Sequence, residues 1–258
     1  MSLTLDQSRP QAPRQERIRH DLVMRNLDVA EKTYLTPNMI RIVLTGEELE
    51  GFTSPVADDN IKIFVPDETG ATVKRSYTPR EYDAVNGRLV LDFAVHQAGP
   101  ATRWALDVLP GDKAQIGGPR GSKLIIGDIE RWLLIGDETA LPAIARRLED
   151  AKAGQKMVCI ITVPGEADRQ SFETSADVEI IWVHRDELGV SPTDHQSLID
   201  TLSKLDLGEG DFVWLAAEGG VTRKLRAYLM EDRGLDAKWI KATGYWVAGS
   251  ADTTAKFD

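Results

Sequence analysis

The sequence predicts two unlike halves, a β-barrel followed by an α/β domain built on a parallel sheet. Three observations carry that expectation. From Leu22 to Ile126 the apolar signal comes in short β-like stretches, 22–24 running into Val29, then 39–44 and 61–65, separated by turn residues at barrel-like intervals. After Gly127 strands alternate with segments of helical period, which is how a parallel sheet covered on both faces reads. A chain of 258 residues is also long enough for two domains of ordinary size. The expected organisation is a loose N-terminal arm at 1–17, a barrel over 18–127 and an α/β domain over 128–258.

The arm mixes Gln, Arg, Pro and Ser without an apolar period and carries no chemistry. In the first half the run Arg75-Ser76-Tyr77-Thr78-Pro79-Arg80 stands out. In an extended segment Arg75 and Tyr77 point one way and Thr78 the other, and Pro79 closes the strand. A guanidinium suits phosphate, a phenol ring suits a flat polar head and a hydroxyl suits a ring nitrogen. Taken alone, the run reads equally well as an edge strand with exposed polar side chains. Residues 89–96 alternate and predict a strand; Gly99 then makes a turn and Pro100 suits the start of a helix. The amides of Ala101, Thr102 and Arg103 would be unsatisfied there, and phosphate is the group that fits them. Leu109-Pro110-Gly111-Asp112 is a turn, and 117–122 is a second glycine-rich loop.

In the second half, 132–136 predicts a buried strand ending in Asp137-Glu138-Thr139. Residues 140–151 carry helical period, with Pro142 tolerable in the first turn and Thr139 able to cap. Further strands are expected at 156–163, 178–184, 212–217 and 238–241, with a helix at 221–231. Ligands of such sheets sit past the carboxyl ends of the strands, so the tips at 136–139, 163–166, 184–185 and 217–220 are the places to watch. None carries G-x-G-x-x-G. Arg223, Lys224 and Arg226 are expected on a solvated helix face.

With 31 basic against 41 acidic residues and a net charge of −10, neither nucleic acid nor an anionic membrane is expected as a partner. Cys159 is the only cysteine, which excludes a disulfide framework, a thiolate zinc site and a cysteine-ligated cluster, and fits a reducing cytosol. No apolar run of about 18 residues could span a bilayer, and no apolar core follows the N-terminal charges, so the expected location is cytoplasmic. His20, His96, His184 and His195 are scattered, so no resident metal is expected. There is no G-x-S-x-G elbow, and the carboxylates Asp58-Asp59 and Glu47-Glu48 are expected to be solvated in loops.

R-S-Y-T-P-R at 75–80, H-x-x-G-P-A-T-x-W-A at 96–105, P-G-D at 110–112, G-G-P-R-G-S at 117–122 and G-Y-W at 244–246 occur in that order. In them the chain resembles the siderophore-interacting proteins, FAD-dependent ferric-siderophore reductases of the ferredoxin-reductase superfamily. The resemblance implies a β-barrel flavin domain followed by a nicotinamide-binding α/β domain, with FAD in the first and NADPH or NADH on the second. Electrons would pass to a ferric siderophore, releasing iron as Fe(II). It implies Arg75 and Ser76 at the flavin phosphates, Tyr77 against the ring, Thr78 near its reactive nitrogen and His96 at the ribityl or phosphate region. Gly99, Pro100, Ala101, Thr102 and Trp104 would form the phosphate-holding turn, and Thr139 and Arg185 would serve the nicotinamide dinucleotide, Arg185 at a 2′-phosphate. Lys62, Arg120 and Lys241, with Lys238, would meet the chelate; Lys62 reads equally as a solvated strand lysine. The family usually continues G-Y-W with basic residues, where this chain has Val247 and Ala248. That departure keeps open a same-fold reductase with another acceptor, such as a ferredoxin-type partner, free flavin or a quinone. A ferredoxin-type donor and a non-catalytic chelate-binding protein also stay open. Tyr245 and Trp246 would either cover the flavin or simply pack at a domain seam.

Overall fold

The computed structural model describes residues 10–96, 99–250 and 254–257. The chain opens with β1 (Arg14–Arg19), β2 (Met24–Thr36), β3 (Met39–Thr45), β4 (Ile61–Pro66), β5 (Thr72–Tyr77), β6 (Pro79–Asp83) and β7 (Arg88–Ala94). Helix α1 (Pro100–Asp107) and strands β8 (Lys113–Gly117) and β9 (Gly121–Ile126) complete the first half. Seven of these strands form an antiparallel sheet in the order β5-β4-β8-β2-β3-β7-β6. Its two edge strands, β5 and β6, are consecutive in sequence and joined by Thr78 alone, so the sheet must curl to bring its edges together. No ladder among the described residues joins β5 to β6, which leaves a seam where Tyr77, Thr78 and Pro79 lie. Leu27, Ile40, Ile42, Ile63, Leu91 and Phe93 fill the inside, and Ala101 and Ala105 of α1 pack on the same core.

The second half runs β10 (Arg131–Gly136), α2 (Leu141–Glu149), β11 (Lys156–Val163), β12 (Asp177–His184), α3 (Arg185–Leu188), α4 (Gln196–Leu202), β13 (Asp211–Glu218), α5 (Gly219–Ala227), β14 (Ile240–Trp246) and β15 (Ala255–Phe257). The order β12-β11-β10-β13-β14 is parallel throughout, and β15 adds an antiparallel edge. Alternation along β10 explains both layers. Trp132 and Leu134 face Ile144 and Leu148 of α2, while Leu133 and Ile135 face Leu198 and Leu202 of α4 and Leu225 of α5. Met39 and Ala94 of the first half join the α2-side core, so the two halves share one apolar layer. The crevice where strand order reverses lies between the tips of β10 and β13. Gly136 ends β10 because a Cβ there would come within 2.6 Å of the Ala140 Cβ and 2.9 Å of the Ala216 carbonyl oxygen.

Two expectations change. Residues 14–17, expected in a loose arm, form β1 together with Ile18 and Arg19, and the strand pairs with β9 from Arg14 opposite Ile126 to Arg19 opposite Gly121. Every β1 residue is exposed, so no face is buried to leave an apolar period, and ladder hydrogen bonds hold the strand. Residues 1–9 of the expected arm lie outside the described residues. Asp58 and Asp59 are buried, not solvated, for reasons given below.

Candidate functional site

The site forms where the seam of the curled sheet meets the tips of the parallel sheet. On β5, Ile61 of β4 stands opposite Tyr77 and Ile63 opposite Arg75, while Lys62 stands opposite Ser76. Side chains of directly opposed residues share a face, so Arg75 and Tyr77 lie together and Lys62 and Ser76 lie on the other side. The Tyr77 ring centroid is 4.2 Å from that of Phe93, which is 5.5 Å from Trp104 of α1. These three rings line the seam up to the helix. Burial pushes the Tyr77 phenol well above its ordinary range, against the opposing pull of Arg75, so the hydroxyl stays neutral and able to donate. Arg75 is half-buried, with one terminal nitrogen donating to the Lys74 carbonyl at 2.8 Å.

Helix α1 begins at Pro100 with Gly99 as its extended N-cap, and no side chain among the described residues caps it. Ala101 and Thr102 are nonetheless buried, so two amides without an intrahelical carbonyl head a buried helix end. A diphosphate anion fits that position. The aromatic run and the uncapped amides together fit a ligand with a flat ring system at one end and phosphate at the other, which is the chemistry of FAD. His96 is exposed beside them, its ring nearly parallel to that of Trp246 at 12° and 6.3 Å between centroids.

Opposite the seam, Asp137 is 3 % exposed and collects hydrogen bonds from three elements. It accepts from the Thr139 amide at 2.9 Å and the Thr139 hydroxyl, from the Glu218 amide at 3.0 Å and from Trp246 Nε1 at 2.9 Å. Its pKa is raised to about 6, mainly by burial and further by neighbouring Glu138, against the opposing effect of the Thr139 and Trp246 donors. Thr139, expected as the cap, instead donates to one: Asp137 has the extended backbone of an N-cap and Thr139 lies inside the turn that follows. Glu218, at the tip of β13, accepts from the amides of Gly220, Val221 and Ala248. Two carboxylates at the crevice thus hold the end of β14 by the Trp246 indole and the chain just after it by the Ala248 amide. Tyr245 reaches the seam itself, where its phenol shares a hydrogen bond with Thr78, and burial raises its pKa far above the usual value. Thr78 is 7 % exposed and bonded to the other half of the chain. Tyr245 packs edge-on against Trp214.

Lys241 and Arg185, expected at the chelate and at the dinucleotide, each have a carboxylate partner. Lys241 is buried and its ammonium lies 2.6 Å from Asp58, which also accepts from Trp214 Nε1 at 3.2 Å and lies 3.7 Å from Arg147. Burial alone would raise the Asp58 pKa, but Lys241 and Arg147 outweigh it and hold the carboxyl below its ordinary value. Lys241 therefore joins the two halves through Asp58. Arg185 donates both terminal nitrogens to Glu138, at 2.7 and 2.8 Å, with its side chain 6 % exposed. Arg120 is exposed in the loop before β9, and Lys62 is half-buried on β4. Arg75, Tyr77, Thr78, His96, Ala101, Thr102 and Trp104 converge on the seam. Arg120, Lys62 and Lys238 are the expected chelate contacts that stay near the surface.

Sequence reasoning missed Phe93, Asp137, Asp58 and Glu218. The signals were present in Gly136-Asp137-Glu138-Thr139, where an acid follows a strand and precedes a turn, and in Glu218-Gly219-Gly220. Asp58 gave none, because its partners lie 89, 156 and 183 residues away in sequence.

Residues 28–74 and 67–123 match the family described as the siderophore-interacting FAD-binding domain, and residues 129–249 match the siderophore-interacting protein family. The chain is similar to the NADPH-dependent ferric-chelate reductase of Escherichia coli (strain K12), 31 % identical over 90 % of this chain and 96 % of that protein. It is similar in structure to a siderophore utilization protein from T. fusca, with a TM-score of 0.86 and 30 % identity over 93 % of this chain and 98 % of the other. Phthalate dioxygenase reductase matches at a TM-score of 0.61 and 16 % identity, covering 89 % of this chain and 70 % of that one, so the two share a fold.

Proposed function

The chain belongs to the siderophore-interacting protein family, and on that premise we propose that it is a cytoplasmic flavoenzyme that passes electrons from NAD(P)H through FAD to a ferric chelate. The observation that carries this reading is the seam where Tyr77, Phe93 and Trp104 meet the uncapped start of α1, directly opposite the tips of the parallel sheet. Bound FAD would supply the chemistry that no side chain here offers, taking two electrons at once and releasing them singly. The chain's own residues bind, orient and shield. Tyr77 offers a ring already fixed by Phe93, so little side-chain freedom is lost when a flat ligand settles on it. Ala101 and Thr102 offer amides to phosphate, and Arg75 adds a guanidinium on the same face of β5 as Tyr77. Thr78, held by Tyr245, fixes the distance between the seam and the second half. Asp137 and Glu218 hold Trp246 and Ala248 across the crevice and narrow the path of water into it.

The acceptor is a ferric siderophore or another ferric chelate, with iron entering and leaving as substrate. Arg120 and Lys62 supply the cationic side chains that draw in an anionic chelate, in place of the charges absent at Val247 and Ala248. Purified protein is expected to be yellow, and its flavin absorbance should bleach on anaerobic addition of NADPH and recover on adding a ferric chelate. A colourless preparation that cannot be reconstituted with FAD would contradict the proposal.

A further inference from the structure

The dinucleotide has two forms that differ only by a 2′-phosphate, and the side chain that tells them apart follows from the strand tips; this step rests on the NAD(P)H reading above. In open parallel sheets the adenosine ribose is met from the tip of the strand after the first crossover, by an acid for a free hydroxyl or by a nearby arginine for a 2′-phosphate. That strand is β11, and its tip runs from Pro164 to Arg169. Arg185, one strand further on, is already committed to Glu138 and lies 3.4 Å from the Thr162 hydroxyl. To take a phosphate it would have to abandon a carboxylate whose own side chain is only 13 % exposed.

Arg169 is built differently. Its Nε donates to His184 Nε2 at 2.9 Å. A nitrogen that accepts must keep its lone pair, so the ring hydrogen sits on Nδ1, which donates to Glu187 Oε1 at 2.8 Å. The chain Glu187, His184, Arg169 fixes the guanidinium by its inner nitrogen and leaves the outer two for a ligand. One of these has only Glu166, 3.9 Å away and 77 % exposed, and the other has no partner among the described residues. The neighbouring Asp168 is occupied, accepting from the Thr36 hydroxyl at 2.9 Å and from Asn38 through its amide at 3.1 Å and its side chain at 2.9 Å. Those bonds pin the β11 tip to the β2–β3 hairpin. Glu166 and Asp186 are the exposed carboxylates nearby, and solvent screens both.

We propose that Arg169 selects NADPH over NADH by pairing its two outer nitrogens with the 2′-phosphate, that His184 is a positioning residue for it, and that Arg185 is the structural partner of Glu138. The test is calorimetric binding of adenosine 2′,5′-bisphosphate and of AMP to the flavin-loaded protein, with anaerobic flavin reduction by NADPH and NADH measured alongside. The wild type should bind the bisphosphate at least about tenfold more tightly than AMP, as a bidentate guanidinium–phosphate pair requires. Arg169→Ala should bind the two about equally and lose the NADPH preference in reduction, while Arg169→Lys keeps part of both. An undiminished preference in Arg169→Ala, or equal binding of both nucleotides by the wild type, would overturn the assignment. Flavin bleached equally by NADPH and NADH in the wild type removes this inference and leaves the reductase reading standing; flavin bleached by neither removes the reading itself.

Discussion

At the scale of single residues the proposed flavin site rests on the register of one strand. Arg75 and Tyr77 share a face because β5 pairs with β4 in a register that sets them opposite Ile63 and Ile61. Tyr77 then inherits the rigidity of the barrel core through Phe93, itself fully buried. In the proposed site, a ring for a flat ligand and a guanidinium for phosphate thus come from one strand. Replacing both as Arg75→Ala/Tyr77→Ala should leave a folded protein whose flavin content drops at least about tenfold, since each contact is worth on the order of 1–3 kcal/mol. The ratio of flavin to protein absorbance after gel filtration measures it, and a far-ultraviolet circular dichroism spectrum confirms the fold. Full yellow colour in that variant would remove Arg75 and Tyr77 from the site.

Among elements, the junction is held by α2 and by the chain after β14. Arg146 of α2 donates to Ser54 Oγ at 3.0 Å, to the Ser54 carbonyl at 2.7 Å and to the Pro79 carbonyl at 2.9 Å, while Arg80 of β6 pairs with Glu149. The helix therefore docks on the same seam that Tyr245 reaches from the other side. Asp137 ties β10, β13 and Trp246 together at the cost of burying a carboxyl. Its folded pKa of about 6 lies above the ordinary 3.8, so its protonated form favours the fold. That contribution is fully present below about pH 4 and is lost as pH rises toward 6 and through it. Asp137→Asn does not titrate, so thermal unfolding of the wild type should fall relative to the variant by on the order of a few degrees between pH 4 and pH 6. Parallel pH profiles for the two would show that Asp137 does not carry the raised pKa. The same elements show what the sequence could convey. β11 was legible because a buried parallel strand is a continuous apolar run, and α1 because Gly99-Pro100 is a local signal. β1 was not, since an all-exposed strand leaves no apolar period, and β15 is too short to leave one.

For the whole molecule, a curled antiparallel sheet and a parallel sheet meet at a junction of buried charge. Asp58 meets Lys241, Arg147 and Trp214 there and joins the two halves. The order of motifs made the two-domain plan and the seam legible, because each motif is local and follows the turn chemistry of its own segment. The partners of Lys241 and Arg185 were not legible, because a cation shows its charge in a sequence but not the carboxylate that folding brings to it. The most direct test of the account is an anaerobic single turnover. Flavin-loaded protein is mixed with one equivalent of NADPH and then with excess ferric chelate, while flavin absorbance and chelator-trapped Fe(II) are recorded together. The account predicts bleaching before the chelate is added, then full recovery with two Fe(II) formed per NADPH; flavin that stays oxidised while Fe(II) forms, or stays bleached beside untouched ferric chelate, would contradict it.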